Sequence, residues 1–138
     1  MLECLIIGDS IAVGTDSVAP RECVSYARVG ITSRQWNQTW GHIRLEAATV
    51  VISLGTNDYN GIDTQRQLTN IRTRVRMGRV VWILPPCNAR FCKPQVNAAV
   101  RNVAYRYGDT IISTQYLQPD RIHPTVRGYR DLVNRARL

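Results

Sequence analysis

A hydroxyl, an imidazole and a carboxylate are the groups in this chain whose types and spacing could do chemistry together. Ser10 closes the run Leu5-Ile6-Ile7-Gly8-Asp9-Ser10, a wholly apolar strand that stops at residues favouring turns and helix caps. A serine so placed stands at a strand-to-helix corner past the carboxyl edge of a sheet. There the backbone N–H groups of the first helical turn have no intrahelical acceptor. Capping the helix is its plainest role. Acting as a nucleophile beside preorganised donors is the other, and that role needs a base. The chain has two histidines. His42 lies near the end of a helical segment, the place of a surface or capping residue, whereas His123 sits in a loop before Pro124, three residues after Asp120. At that spacing the Asp120 carboxylate can hold the imidazole in one tautomer while the other ring nitrogen faces Ser10.

The elements that must bring these groups together follow from hydrophobic periodicity. After the first strand, a second over 23–29 ends at Gly30. A helix capped by Thr32 or Ser33 then places Trp36, Trp40 and Ile43 at i, i+4 and i+7, the apolar stripe of a helix lying on a sheet. A third, apolar strand over 49–54 ends at Gly55-Thr56-Asn57-Asp58. Asp63 caps a helix that turns Leu68, Ile71 and Val75 inward, carries Arg66, Arg72, Arg74 and Arg76 on a solvated face, and is closed by Gly78. A fourth strand over 80–84 stops at Pro85-Pro86, and Pro94 opens a helix that buries Val96, Val100 and Val103. After a fifth strand over 110–113, the last helix turns Val126, Tyr129 and Val133 inward. This alternation predicts one domain over 1–138 of the α/β class: a three-layer α/β/α sandwich whose five-stranded parallel sheet has the flavodoxin-like order 2-1-3-4-5. Ligands of such sheets bind beyond the carboxyl ends of the strands, where Gly8-Asp9-Ser10, Gly30 and Gly55 to Asp58 all fall.

With 138 residues, 44% hydrophobic and 20% charged, the chain reads as an ordinary globular domain. No apolar run approaches the ~20 residues of a membrane span. Without a basic n-region or a cleavage site at the start, the cytoplasm is the default location, with export by another route or attachment to a larger particle left open. The net charge of +8 comes from 17 arginines and one lysine, Lys93. These arginines are spread from Arg21 to Arg137 with no basic stripe interleaved by aromatics, so nucleic acid is not an expected partner. Whether the arginine-rich surface meets some other anion stays open. Cys4 and Cys23 fall inside strands and read as free thiols, small and buried. Cys87 and Cys92 bracket a loop and are spaced for a local disulfide in an oxidising place; no His lies near enough to complete a metal site with them.

Taken as an ordered set, these residues resemble the blocks of the SGNH hydrolases, the GDSL esterase and lipase superfamily. Gly8-Asp9-Ser10-Ile11 is similar to its first block, Gly30 to its second, Gly55-Thr56-Asn57-Asp58 to its third, and Asp120 to His123 to its fifth. The likeness implies Ser10 as nucleophile, His123 as base and Asp120 as its orienting acid. It also implies an oxyanion hole formed by the N–H groups of Ser10 and Gly30 and the side-chain amide of Asn57. Asp58 and Asp9 then read as structural residues. Members are usually longer, so the short loops of this chain predict an open cleft, suited to a small ester on a bulky carrier. The expected activity is hydrolysis of small acyl esters, acetyl above all, on a carbohydrate or cell-wall polymer, through an acyl-enzyme and with no cofactor or metal. Tyr59, Asn60, Asn88, Arg90 and Phe91 are the candidate carrier contacts. The alternatives are a thioesterase or lysophospholipase acting on longer acyl chains, and a catalytically silent relative that binds glycan or protein. A base at His123 further predicts activity that rises with pH rather than a flat profile between about pH 5 and 8.

Overall fold

The apolar run before Ser10 forms β1 (Leu2–Gly8), an interior strand of the sheet, with every residue from Cys4 to Gly8 buried. The computed structural model describes residues 2–76 and 78–138. In it β1 pairs in parallel with β2 (Cys23–Ala27) on one side and with β3 (Leu45–Ser53) on the other. A two-residue strand, β4 (Val75–Arg76), pairs with the start of β3; β5 (Arg79–Leu84) pairs further along it, and β6 (Thr110–Ser113) forms the far edge. The order β2-β1-β3-β5-β6 is the expected flavodoxin-like one, with β4 as an addition beside β3.

Alternation along the strands sorts side chains onto two faces. Leu5, Ile7, Val50, Ile52, Val80 and Trp82 point into one core, where they meet α2 (Ser33–Trp40), α3 (Thr64–Arg74) and α4 (Pro94–Tyr107). Ile6, Val51, Val81 and Ile83 point into the other, covered by α1 (Ser10–Ser17) and α5 (Val126–Arg135). Burial on both faces explains why the strand sequences are apolar throughout rather than alternating. Each fully buried Leu or Ile contributes ~1.5–3 kcal/mol, so both cores are needed to offset the chain entropy.

Several boundaries differ from the sequence reading. β2 stops at Ala27, leaving Val29 70% exposed. β3 begins at Leu45, because the β4 pairing extends the ladder by four residues. The Trp36-bearing helix ends at Trp40; Trp36 is fully buried, while Trp40 and Ile43 only flank the core. α3 ends at Arg74, and Val75 is extended, as suits a β-branched residue beside a free strand edge. Arg72 and Arg74 are not solvated. Arg72 makes a two-pronged ion pair with Asp109, which also accepts from the Trp82 indole at 2.9 Å. Arg74 donates to the carbonyls of Trp40 and Ile43, and burial lowers its pKa from the ordinary value. In α5 it is Leu132, not the 59%-exposed Val126, that fills the core beside Val133 and the partly buried Tyr129.

The cysteines require a larger correction. Cys4 and Cys23 are not free thiols but a disulfide across β1 and β2, which the register places directly opposite each other with Cα atoms 4.6 Å apart. Pairing register is a tertiary property that no local pattern in either strand carries, so the two residues read as separate hydrophobes. Cys87 and Cys92 also form a disulfide, closing the loop after β5.

Candidate active site

Ser10 is the first residue of α1, and its neighbours fix it there. The Asp9 carboxylate accepts from the Ile11 N–H at 3.0 Å, capping the helix. It also accepts from the Ser53 hydroxyl at 3.0 Å. Gly8 makes the approach possible: at φ 141° a Cβ would lie 1.8 Å from the Ser53 carbonyl oxygen, so only glycine lets β1 and β3 close at this corner. Burial pushes the Asp9 carboxyl up to about 7, against the pull of the Ser53 hydroxyl and the backbone N–H groups of Ile11 and Ala12. Its second oxygen has no partner among the described residues.

Across 113 positions of sequence, His123 comes to this corner. Its Nε2 lies 2.9 Å from Ser10 Oγ, and its Nδ1 lies 2.7 Å from Asp120 Oδ2. With the proton on Nδ1, the ring donates to Asp120 and accepts from the Ser10 hydroxyl. Asp120 also receives the N–H groups of Ile122 and His123 on Oδ1. The His123 ring and these two N–H groups hold the Asp120 carboxyl down at about 2, so it is ionised across the whole working range of pH. Both side chains remain open to water, at 36% exposure for His123 and 43% for Asp120.

Three further donors lie beyond the carboxyl ends of β1, β2 and β3. The N–H groups of Ser10 and Gly30 have no acceptor among the described residues. Gly30 adopts φ 80°, the left-handed region, and a Cβ there would meet nothing within 4 Å, so the space beside its Cα is open. The Asn57 amide donates one hydrogen to the Ile31 carbonyl at 3.1 Å and has a second to spare. Behind it, Asp58 is buried and collects the Ser33 N–H, the Ser33 hydroxyl and the Thr64 hydroxyl at 2.6–2.8 Å. Lys93 donates to the carbonyls of Thr56 and Asp58, on either side of Asn57. Sequence reasoning missed Ser33, Thr64 and Lys93 as supports of this loop. Ser33 reads as one of two possible caps and nothing more, and nothing local marks Thr64 or Lys93.

The candidate carrier contacts separate into two groups. Tyr59 and Asn60 are exposed beside Asn57, and the Tyr59 hydroxyl accepts from the Arg34 guanidinium at 2.9 Å. On the other side, Asn88 is a strut: its side-chain Oδ1 accepts from the N–H groups of Arg90 and Phe91, and its side-chain amide donates to the Arg121 carbonyl. Arg90 is exposed, while Phe91 is half-buried under the Lys93 ammonium. His42 lies just past α2, away from these groups in the chain, and lines a different depression with Arg44 and Arg76. Among the described residues no cluster of His, Cys, Asp and Glu is arranged to hold a metal ion, and no helix is long and apolar enough to cross a membrane.

No protein-family model matches the sequence, and no curated protein does. Solved structures do. An acetyl-xylooligosaccharide esterase from Geobacillus stearothermophilus superposes with a TM-score of 0.69 at 21% identity, over 99% of this chain and 92% of that one. A structure described as a GDSL-like lipase, from Parabacteroides merdae, gives 0.74 at 14% identity, over 96% and 92%. The C-terminal catalytic domain of Streptococcus pneumoniae peptidoglycan O-acetyltransferase A gives 0.61 at 17%, over 97% and 91%. The chain therefore has the fold of the SGNH/GDSL hydrolases.

Proposed function

We propose that this protein is a serine esterase that removes small acyl groups, acetyl foremost, from a carbohydrate or cell-wall polymer. One observation carries the reading: the 2.9 Å contact between Ser10 Oγ and His123 Nε2, made between opposite ends of the chain at the carboxyl edge of the sheet. Two proteins of the same fold, the acetyl-xylooligosaccharide esterase and the peptidoglycan O-acetyltransferase domain, are named for acetyl groups on glycans, which supports the choice of substrate.

In the proposed reaction His123 Nε2 takes the Ser10 proton as Oγ attacks the ester carbonyl. Asp120 stabilises the imidazolium without taking its proton, consistent with a carboxyl held near 2. The oxyanion that develops is met by the N–H groups of Ser10 and Gly30 and the free hydrogen of the Asn57 amide. His123 returns the proton to the departing alcohol, and water then repeats the sequence on the acyl-enzyme. Asp120, held down at about 2, stays charged throughout, and activity should rise with pH as His123 becomes neutral rather than stay flat between about pH 5 and 8.

Initial rates on a series of p-nitrophenyl esters test the acyl preference. Acetate should exceed octanoate; the reverse order would favour the long-chain thioesterase or lysophospholipase alternative. A fluorophosphonate probe should label the wild type and spare Ser10→Ala, whereas a silent binding protein would leave both unlabelled.

A further inference from the structure

In the proposed reaction the leaving oxygen has to sit beside His123 Nε2, because that nitrogen returns its proton. The carrier therefore extends over the His123 side, away from Gly30 and Asn57. On that side a cavity of about 490 Å³ opens between the disulfide-closed loop and the segment after β6. Asn88, Arg90, Tyr116 and Arg121 stand in its wall, and none of its lining residues is acidic.

The backbone ties this cavity to the imidazole. Leu117 and Pro124 form an antiparallel bridge, flanked by bonds from the Gln118 N–H to the His123 carbonyl and from the Thr125 N–H to the Tyr116 carbonyl, each 2.8 Å. Along this ribbon Tyr116 sits two residues from the position opposite His123, a rise of about 7 Å and thus roughly one sugar ring away. Tyr116 and Gln118, the residue opposite His123, are both exposed, whereas Pro124 is buried and Leu117 half-buried in the cavity wall.

Among the described residues, two of the three non-glycine residues with positive φ are found here, Tyr116 at 56° and Arg121 at 60°. A bulky side chain rarely adopts that conformation unless its surroundings impose it. The surroundings do so: Thr125 holds the Tyr116 carbonyl with both its N–H and its hydroxyl, and Arg121 is held by Gln118 through its N–H and by Asn88 through its carbonyl. Tyr116 is 43% exposed, and the Arg127 guanidinium lies 4.0 Å from its ring centroid. Arg90, Arg121 and Arg127 have no carboxylate partner among the described residues. The one nearby acid, Asp120, is already engaged by His123 and two N–H groups.

We propose that this cavity binds a carboxylate-bearing sugar next to the acetylated one, which makes the substrate an acidic acetylated glycan rather than a neutral one. Arg90 and Arg121 take the carboxylate, as planar forks suited to it, and Tyr116 lies against the apolar face of the sugar ring. The proposal rests on the esterase reading for the position of the carrier, but binding tests it separately.

The wild-type protein is titrated with an unacetylated oligogalacturonide and with a xylo-oligosaccharide of equal length, and kinetics are run on the O-acetylated form of each. The acidic oligosaccharide should bind about tenfold tighter or more, the effect of one good charge-assisted pair. That margin should collapse in ~0.5 M salt, where screening acts within a few ångströms. Arg90→Glu, and Arg121→Asn, which suits a left-handed backbone, should bring the acidic-to-neutral ratio of kcat/KM towards one, through KM rather than kcat. Equal binding of the two oligosaccharides, or a ratio that both variants leave intact, overturns the proposal. Tight binding of the oligogalacturonide without hydrolysis of any acetyl ester, p-nitrophenyl acetate included, would uphold the cavity and refute the esterase reading instead.

Discussion

In the amino half of the sheet, Cys4 and Cys23 join β1 to β2 covalently, and Arg79 at the start of β5 donates to the Ala136 carbonyl at 2.6 Å, clasping the end of α5. At the carboxyl edge the second disulfide, Cys87–Cys92, closes only its own loop and joins no two strands. Ser10, His123 and Asp120 meet there through side-chain hydrogen bonds alone, half open to water. The contrast teaches where rigidity has to come from. An open edge keeps its geometry only because buried supports stand directly behind it, Asp9 under Ser10 and Asp58 under Asn57. The edge therefore should respond to substitution in rate, and the amino half in stability.

That division can be broken by four measurements. Ser10→Ala should lower kcat by about 10⁴-fold or more while leaving the unfolding midpoint unchanged, since Asp9 rather than Ser10 caps α1. A large shift in thermal unfolding would show the edge to be structural after all. Asn57→Ala should cost ~10²–10³ in kcat, the usual effect of removing one oxyanion donor, with little change in KM. Replacing both Cys4 and Cys23 by alanine should lower stability in chemical denaturation by ~2–4 kcal/mol and leave kcat at 25 °C intact. A fall in kcat at temperatures where the variant is fully folded would erase the distinction between the two halves.

The smallest effect belongs to Asp9, which stands between the two regions. Its folded carboxyl titrates at about 7 against an ordinary 3.8. A raised value means the protonated form suits the fold, so its contribution is full below about pH 4 and is lost as pH climbs through 7. Asp9→Asn keeps an acceptor for Ile11 and Ser53 and removes the charge. Thermal unfolding followed from pH 4 to 8 should then decline less steeply than in the wild type, and an unchanged slope would show that another group sets it.

The fold was legible because its signals are local. Apolar strands ending at Gly-Asp-Ser and Gly-Thr-Asn-Asp mark the carboxyl edge, and Pro94 with Val96, Val100 and Val103 marks α4 as it stands. The three groups that meet at Ser10 could be named because few residue types can fill those roles and the chain has only two histidines. What stayed hidden depends on register and on distant partners. The Cys4–Cys23 bond needs the β1–β2 pairing, and the ion pair of Arg72 with Asp109 joins α3 to the start of β6 across 37 positions. Tyr116 and Arg121 carry no motif at all; their backbone conformation singles them out.

Lys93 gives the donor loop a practical signature. It is the sole lysine of the protein, and its ammonium is pinned between two carbonyls that flank Asn57. Amine-directed dyes and crosslinkers thus have a single side chain to find, and it is a peg rather than a bystander. Labelling kinetics at this one position would serve as a clock for how often the loop lets go.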